Sequence, residues 1–333
     1  MKNSLLEYLR LIRIQTSAAT ASAPLLGGLI AGQHEIIPLF ILLIIGIIYH
    51  IYGFVLNEYI DVQVDKKSKD LHDKPLVSGS IPIAHAKFIV IFSSAASCII
   101  TIIFFKEVLS ILFLLIAIIL GGVYDVYGKK IVGSDFVLGA GFFFLCIFGA
   151  STYTSNFTII IYLVGFAYFF HIVFNNAVEG GLKDVDHDFL AGAKTTATRL
   201  GVKVKEKRLI VTRAFQGFSV TMTIIFLALV FLILYFQDFN FLSGKYLLQI
   251  IIVLVLTLIL FISLLKFLSS GEFNRPRLKR LFSLHEMTSY FMLILALSTT
   301  LFKEVIIFLL LFPFTWYLIF NLILYKKLLQ PRV

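Results

Sequence analysis

The sequence predicts an all-α, polytopic membrane helical bundle of about nine or ten transmembrane helices, and three observations carry that prediction. Of the 333 residues, 59% are apolar and only 14% charged, where a soluble domain carries roughly a quarter charged residues. Mean hydropathy is +0.96. Apolar runs of about 20 residues, the length that crosses a hydrocarbon core as a helix, recur from near residue 17 to near 325. The runs are continuously apolar, without the alternation of a β-barrel strand. No polar stretch between them is long enough to fold separately, so 1–333 reads as a single integral membrane domain.

In order, the runs fall near 17–33, 37–56, 88–105, 108–124, 136–153, 158–178, 214–236, 246–265, 287–302 and 305–325. The first follows Lys2, Arg10 and Arg13 and contains Ala21-Ser22-Ala23, a pattern similar to a signal peptide with its cleavage site. It continues through Leu25 to Ala31, and a second run follows at once, as in a retained helical hairpin. Short connectors such as Lys106-Glu107, Thr154-Ser155-Asn156 and Lys303-Glu304 make further hairpins. Gly27-Gly28, Gly121-Gly122, Gly139/Gly141 and Gly180-Gly181 supply small residues where helices pack closely. The ninth run is short, as a broken or re-entrant helix would be. Cys98 and Cys146 both lie in apolar runs, which supports neither a disulfide framework nor a Cys-based zinc site.

The chain has 29 Lys and Arg against 19 Asp and Glu, a formal net charge of +10. With ten spans, every Lys and Arg except Lys106, Lys245 and Lys303 falls on one side. Basic loops stay cytoplasmic, so both termini and the loop after every second span are predicted to be cytoplasmic in a multi-pass protein of the cell membrane. Topology thus accounts for the positive charge, and no nucleic-acid partner is needed.

Acidic residues gather in two short stretches on that same side. The first reads Asn57-Glu58-Tyr59-Ile60-Asp61-Val62-Gln63-Val64-Asp65 and the second Lys183-Asp184-Val185-Asp186-His187-Asp188. Asp61/Asp65 and Asp184/Asp188 are i,i+4 pairs, so each pair shares one face if its helix extends that far. Mg²⁺ takes oxygen ligands and keeps water and substrate phosphates in its shell, so one or two carboxylates per ion suffice. Lys69, Lys74, Lys129, Lys183, Lys194 and Arg199 all lie in connectors on that side and suit the remaining phosphate oxygens. Acidic pairs, Mg²⁺ and Lys together make a diphosphate site.

Asn57-Glu58-x-x-Asp61-x-x-x-Asp65, followed by Lys74-Pro75-Leu76-x-Ser78-Gly79, resembles the first signature of the UbiA superfamily of intramembrane prenyltransferases. Asp184-x-x-x-Asp188-x-x-x-Gly192-x-x-Thr195, running on to Arg199-Leu200-Gly201, resembles the second, and Tyr124, Tyr127 and Lys129 are similar to the Tyr/Lys loop between them. The resemblance spans the first nine runs. It departs at Glu58, where the family usually has Asp, at Lys74, where an Arg often precedes the Pro, and at the tenth run, one more than the usual nine helices.

The resemblance implies a Mg²⁺-dependent prenyltransferase. Such an enzyme moves an isoprenyl group from a polyprenyl diphosphate to a lipid or aromatic acceptor, geranylgeranylglyceryl phosphate or a quinone precursor, and releases diphosphate. Asp61, Asp65, Asp184 and Asp188 are then catalytic and, with Glu58, metal-binding; Asn57, Lys129, Lys183 and Lys194 bind the diphosphate. Arg13 is similar to an Arg that starts the first helix in the family, where an acidic acceptor would pair with it. The stretch from Lys74 to Gly79 is similar to archaeal-type enzymes that use geranylgeranylglyceryl phosphate, whereas Gly192-x-x-Thr195 is also similar to quinone-pathway members. Asn175 and Asn176 would line the chamber if their helix faces it, and His50 and His171 are expected to be hydrogen-bonded core residues. The non-enzymatic alternative, a membrane transporter or ion channel with an acidic cytoplasmic rim, would place its carboxylates nearer the bilayer midplane.

Overall fold

The computed structural model describes residues 4–66, 71–237, 247–269 and 271–328. Lys2, Lys69 and Lys245 lie outside the described residues. Thirteen α-helices appear among those described: α1 (Ser4–Leu11), α2 (Ser17–Ile30), α3 (Ile36–Asp65), α4 (Ile83–Phe104), α5 (Val108–Tyr127), α6 (Ser134–Ser151), α7 (Ile159–Val173), α8 (Gly181–Leu190), α9 (Thr196–Arg199), α10 (Arg213–Phe236), α11 (Leu247–Leu268), α12 (Arg275–Ala296) and α13 (Lys303–Tyr325). Eight described helices are long and apolar enough to cross a membrane, α7 and α8 counting as one through the π-helical segment Phe174–Gly180.

Two runs differ from their sequence prediction. The first becomes α2, which at 14 residues falls short of a full span by itself, preceded by α1 and the 3₁₀ turn Ile14–Thr16. The ninth, predicted over 287–302, is α12, which starts well before that run and ends at Ala296. Asn274 caps α12 by accepting from the Arg277 amide at 2.9 Å, and Pro276 sits in its first turn. The first turns carry Arg275, Arg277, Lys279 and Arg280, so average hydropathy hides a helix that its capping residues start.

Backbone contacts divide the chain into two compact units. The first comprises Met1–Val126, Phe144–Ile161 and Phe308–Val333; the second comprises Tyr127–Phe143 and Tyr162–Ile307. In the first unit, α2 and α6 approach backbone to backbone. A Cβ at Gly27 would overlap the Cys146 carbonyl oxygen, and one at Gly149 would overlap the Pro24 carbonyl oxygen. The Tyr49 and Tyr52 hydroxyls donate to the Ala117 and Ile118 carbonyls of α5 at 3.2 and 3.0 Å. Leu11, Val55, Val62, Leu76, Ile81 and Ala86 bury a core beneath the polar end of α3.

The second unit has a core that includes Val178, Leu182, Val185, Ala197, Phe215 and Phe267. Gly181 admits α9 closely, since a Cβ there would lie 2.7 Å from the Ala197 Cβ. A small antiparallel sheet of β1 (Lys203–Lys205), β2 (Arg208–Ile210) and β3 (Gly271–Glu272) was not predicted. Strands this short show no usable period. Their two-residue turn places Glu206 and Lys207 at φ 51° and 61°, a primed-turn geometry that usually announces itself by Asn or Gly.

Candidate active site

Helix α3 runs unbroken from Ile36 to Asp65, nine residues past the end of the apolar run predicted over 37–56. The run ended because its residues turned polar, and no Gly or Pro stops the helix there. Asn57, Glu58, Asp61 and Asp65 therefore stand on the last turns of one helix, with Asp61 and Asp65 one turn apart. Glu58 is buried, at 4% exposure. Its Oε1 accepts from the Arg13 guanidinium at 2.6 Å and from the Lys74 ammonium at 3.0 Å. Lys74 also reaches Asp65 at 2.8 Å. Glu58, a metal ligand by the resemblance, is thus engaged by two cations, and Lys74 links the first and last acids of the motif.

Asp125, which the sequence reading passed over, belongs to this cluster. It sits on the last turn of α5, accepts from the Asn57 side chain at 3.4 Å, and couples electrostatically to Asp61. Its signal was present: an acid directly after an apolar run, beside Tyr124. Two interacting carboxylates with an amide beside them are the donor chemistry of a hard cation.

In the second unit, α8 carries Lys183, Asp184, Asp186 and Asp188. Asp184 is half-buried and Asp188 buried. Lys183 Nζ lies 3.4 Å from Asp184 and 5.9 Å from the centre of the Phe282 ring. Lys129 and Lys194 are exposed, and their loops are joined where the Lys194 amide donates to the Lys129 carbonyl at 2.9 Å. The Thr196 hydroxyl anchors the same stretch to α6 through a 2.6 Å hydrogen bond to buried Asp135.

Arg275 is a second residue the sequence did not reveal. It donates to Asp186 Oδ1 at 2.6 Å and to the Lys183 carbonyl at 3.1 Å. It is remote in sequence from α8, and no local pattern links the two. Upstream, His171 Nε2 accepts from the Asn175 side-chain amide at 3.1 Å and Nδ1 meets the Ser289 hydroxyl at 2.9 Å, while His50 bonds Thr20 and the Arg13 carbonyl. Both histidines are hydrogen-bonded within the protein, as expected. Glu179, on the π-helical segment, is 1% exposed and neither carboxylate oxygen has a hydrogen-bond partner.

Among the described residues, no group of three His, Cys, Asp or Glu side chains is assembled as a metal cage. Mg²⁺ is held by one or two carboxylates together with water and phosphate. In the first unit the oxygen donors of Asn57, Asp61, Asp65 and Asp125 have the chemistry to hold such an ion, and in the second unit, taken by itself, so do those of Asp184 and Asp188.

Residues 21–272 match the model of the UbiA prenyltransferase family. The chain is 24% identical over 255 residues to digeranylgeranylglyceryl phosphate synthase of Sulfurisphaera tokodaii, covering 75% of this chain and 87% of that one. It is 29% identical over 209 residues to the Saccharolobus solfataricus protein of the same name, covering 60% and 70%. Among solved structures, it is similar to a UbiA homolog from Archaeoglobus fulgidus bound to GPP and Mg²⁺, with a TM-score of 0.63 at 19% identity over 88% of this chain and 99% of that one. An apo UbiA homolog from Aeropyrum pernix gives a TM-score of 0.64 at 15% identity over 86% and 97%.

Proposed function

The chain belongs to the UbiA prenyltransferase family and is an integral multi-pass membrane enzyme of prenyl transfer, and from that premise we propose that it moves a geranylgeranyl-type group to the hydroxyl of an isoprenylglyceryl phosphate. The acceptor class is supported by the name shared by its curated relatives. The observation that carries the reading is the pair of Asp-x-x-x-Asp units, each on an uninterrupted helix and each inside the matched region. On this reading both units and both termini face the cytoplasm.

Asn57, Asp61, Asp65, Asp184 and Asp188 are the residues that would hold Mg²⁺ and the diphosphate. When bound, Mg²⁺ supplies positive charge against the negative charge that builds on the departing diphosphate. Lys129, Lys183 and Lys194 add fixed cationic donors, and their pull is stronger on the leaving group than on the intact ester. The Lys129 and Lys194 loops are tied together by a main-chain hydrogen bond. The apolar walls of the helices exclude water from the allylic carbon while the acceptor oxygen attacks it.

The test uses detergent-purified protein and geranylgeranyl diphosphate, with and without Mg²⁺. The acceptor panel spans geranylgeranylglyceryl phosphate, 4-hydroxybenzoate and dihydroxynaphthoate, read by pyrophosphate release and product mass. Metal-dependent ether formation with the glyceryl phosphate is expected. Product with an aromatic acceptor alone moves the chain to the quinone branch, and full turnover by a folded Asp61→Ala or Asp184→Ala protein removes the assigned site.

A further inference from the structure

The turn between α1 and α2 is held from several directions. Arg13 adopts φ 46° and ψ 49°, a left-handed conformation that a non-glycine residue keeps only where its surroundings impose it. Three residues of α3 at successive i,i+4 positions impose it here. His50 lies within 3.1 Å of the Arg13 carbonyl through Nε2. A carbonyl only accepts, so Nε2 carries the proton and Nδ1 accepts from the Thr20 hydroxyl at 2.9 Å. One turn on, the Phe54 ring centre lies 5.1 Å from the Arg13 guanidinium carbon, and one turn further Glu58 accepts from its Nη2 at 2.6 Å.

The last helix holds the same turn. Trp316 Nε1 donates to the Ile14 carbonyl at 2.7 Å, and the Tyr325 hydroxyl is hydrogen-bonded to Arg10. Arg10 in turn pairs with Glu7 and with Asp73, in the segment just before Lys74. Helix α13 is the helix by which this chain exceeds the nine its sequence resemblance led one to expect. Glu58, meanwhile, has both Arg13 and Lys74 within hydrogen-bonding distance, and a divalent ion brought to that carboxylate would meet two cations at short range.

We propose that α13 buttresses the first acidic motif: Trp316 and His50 hold the Ile14 and Arg13 carbonyls, the held turn presents Arg13 to Glu58, and Glu58 serves as a positioning residue that keeps Lys74 beside Asp65 instead of ligating Mg²⁺. This rests on the reading of Asp61 and Asp65 as part of the diphosphate site. Loosening the buttress lets Lys74 drift and weakens donor binding, while the reacting groups remain in place. The phenotype is therefore in KM for the donor and not in kcat.

Trp316 is the single tryptophan of the chain, so its emission reports the turn directly in the purified full-length protein. Trp316→Phe deletes the indole donor and is expected to raise the donor KM about three- to tenfold, the scale of one lost hydrogen bond, with kcat within about twofold. His50→Ala is expected to do the same from the other side of the turn, and His50→Gln, which retains a donor, to restore much of it. Arg13→Ala and Glu58→Gln should each shift Trp316 emission, and the double variant should be no worse than the singles in donor KM. A wild-type donor KM in both Trp316→Phe and His50→Ala would overturn the buttress. A raised Mg²⁺ requirement in Glu58→Gln with unchanged Trp316 emission would make Glu58 a ligand and overturn the positioning role. Absence of any Mg²⁺-dependent pyrophosphate release by the wild type would end the proposed function instead, leaving the emission shifts to decide on the buttress.

Discussion

The amide of Lys194 donates to the carbonyl of Lys129 across 2.9 Å, joining the loop before α6 to the loop after α8. The contact uses main-chain atoms and so does not depend on either side chain. Lys194→Ala keeps the amide and removes the charge. It is expected to raise the donor KM by about three- to tenfold, a point-charge contact to phosphate being comparable to one charged hydrogen bond. Steady-state kinetics against geranylgeranyl diphosphate checks this; an unchanged KM would place Lys194 outside the diphosphate site.

Thr196 donates to Asp135 at 2.6 Å, and both residues are buried. Thr196→Val keeps the shape and removes one donor from a buried carboxylate, at a cost of about 1–3 kcal/mol. Thr196→Ser retains the hydroxyl and should lose less. Thermal unfolding in detergent distinguishes the two, and equal melting temperatures would show that Asp135 does not depend on the hydroxyl.

Arg275 makes two contacts at once, to Asp186 and to the Lys183 carbonyl. An ammonium cannot reproduce that fork, so Arg275→Lys should recover little of what Arg275→Ala loses. Both variants are expected to lower kcat/KM by roughly tenfold through misplacement of the Asp184/Asp188 helix. Full activity in Arg275→Lys would mean that charge alone matters at this position.

Gly27 and Gly53 provide a matched pair. A Cβ at Gly27 overlaps the Cys146 carbonyl, whereas one at Gly53 meets nothing within 4 Å. Gly27→Ala is expected to destabilise by about 1–3 kcal/mol by forcing α2 and α6 apart. Gly53→Ala, inside α3, should stabilise by about 0.5–1 kcal/mol through helix propensity. Unfolding of the two variants side by side tests the backbone contact, and equal stabilities would argue against it.

Glu179 is buried with both oxygens unpartnered and lies within electrostatic range of Glu286 and Lys183. Replacing it by the similarly sized, apolar Met relieves a burial cost of about 1–3 kcal/mol. Glu179→Met should therefore melt higher than the wild type. A lower melting temperature would mean that the carboxylate has a partner, such as internal water, that stabilises the fold.

Much of this protein was legible from its residues because the bilayer imposes simple rules. A span must be long, apolar and helical, so eight long helices appear close to where hydropathy placed them. The Asp-x-x-x-Asp spacing is likewise local, and the helices at Asp61/Asp65 and Asp184/Asp188 extend far enough to put each pair on one face. The errors came where polarity and structure part company: α12 starts in a basic, hydrophilic stretch, and the strands of the small sheet are too short to carry a period.

By itself, then, the sequence determined the membrane class, the approximate spans and the two acidic units, since each follows from residue type and near-neighbour spacing. The tertiary structure decided who pairs with whom. Arg13 and Lys74 converging on Glu58, Asp125 beside Asn57, Arg275 on Asp186 and Trp316 on the Ile14 carbonyl all join residues well separated along the chain. Such pairings depend on how helices cross and on which carbonyls a turn leaves open, and neither is written in the spacing of neighbouring residues.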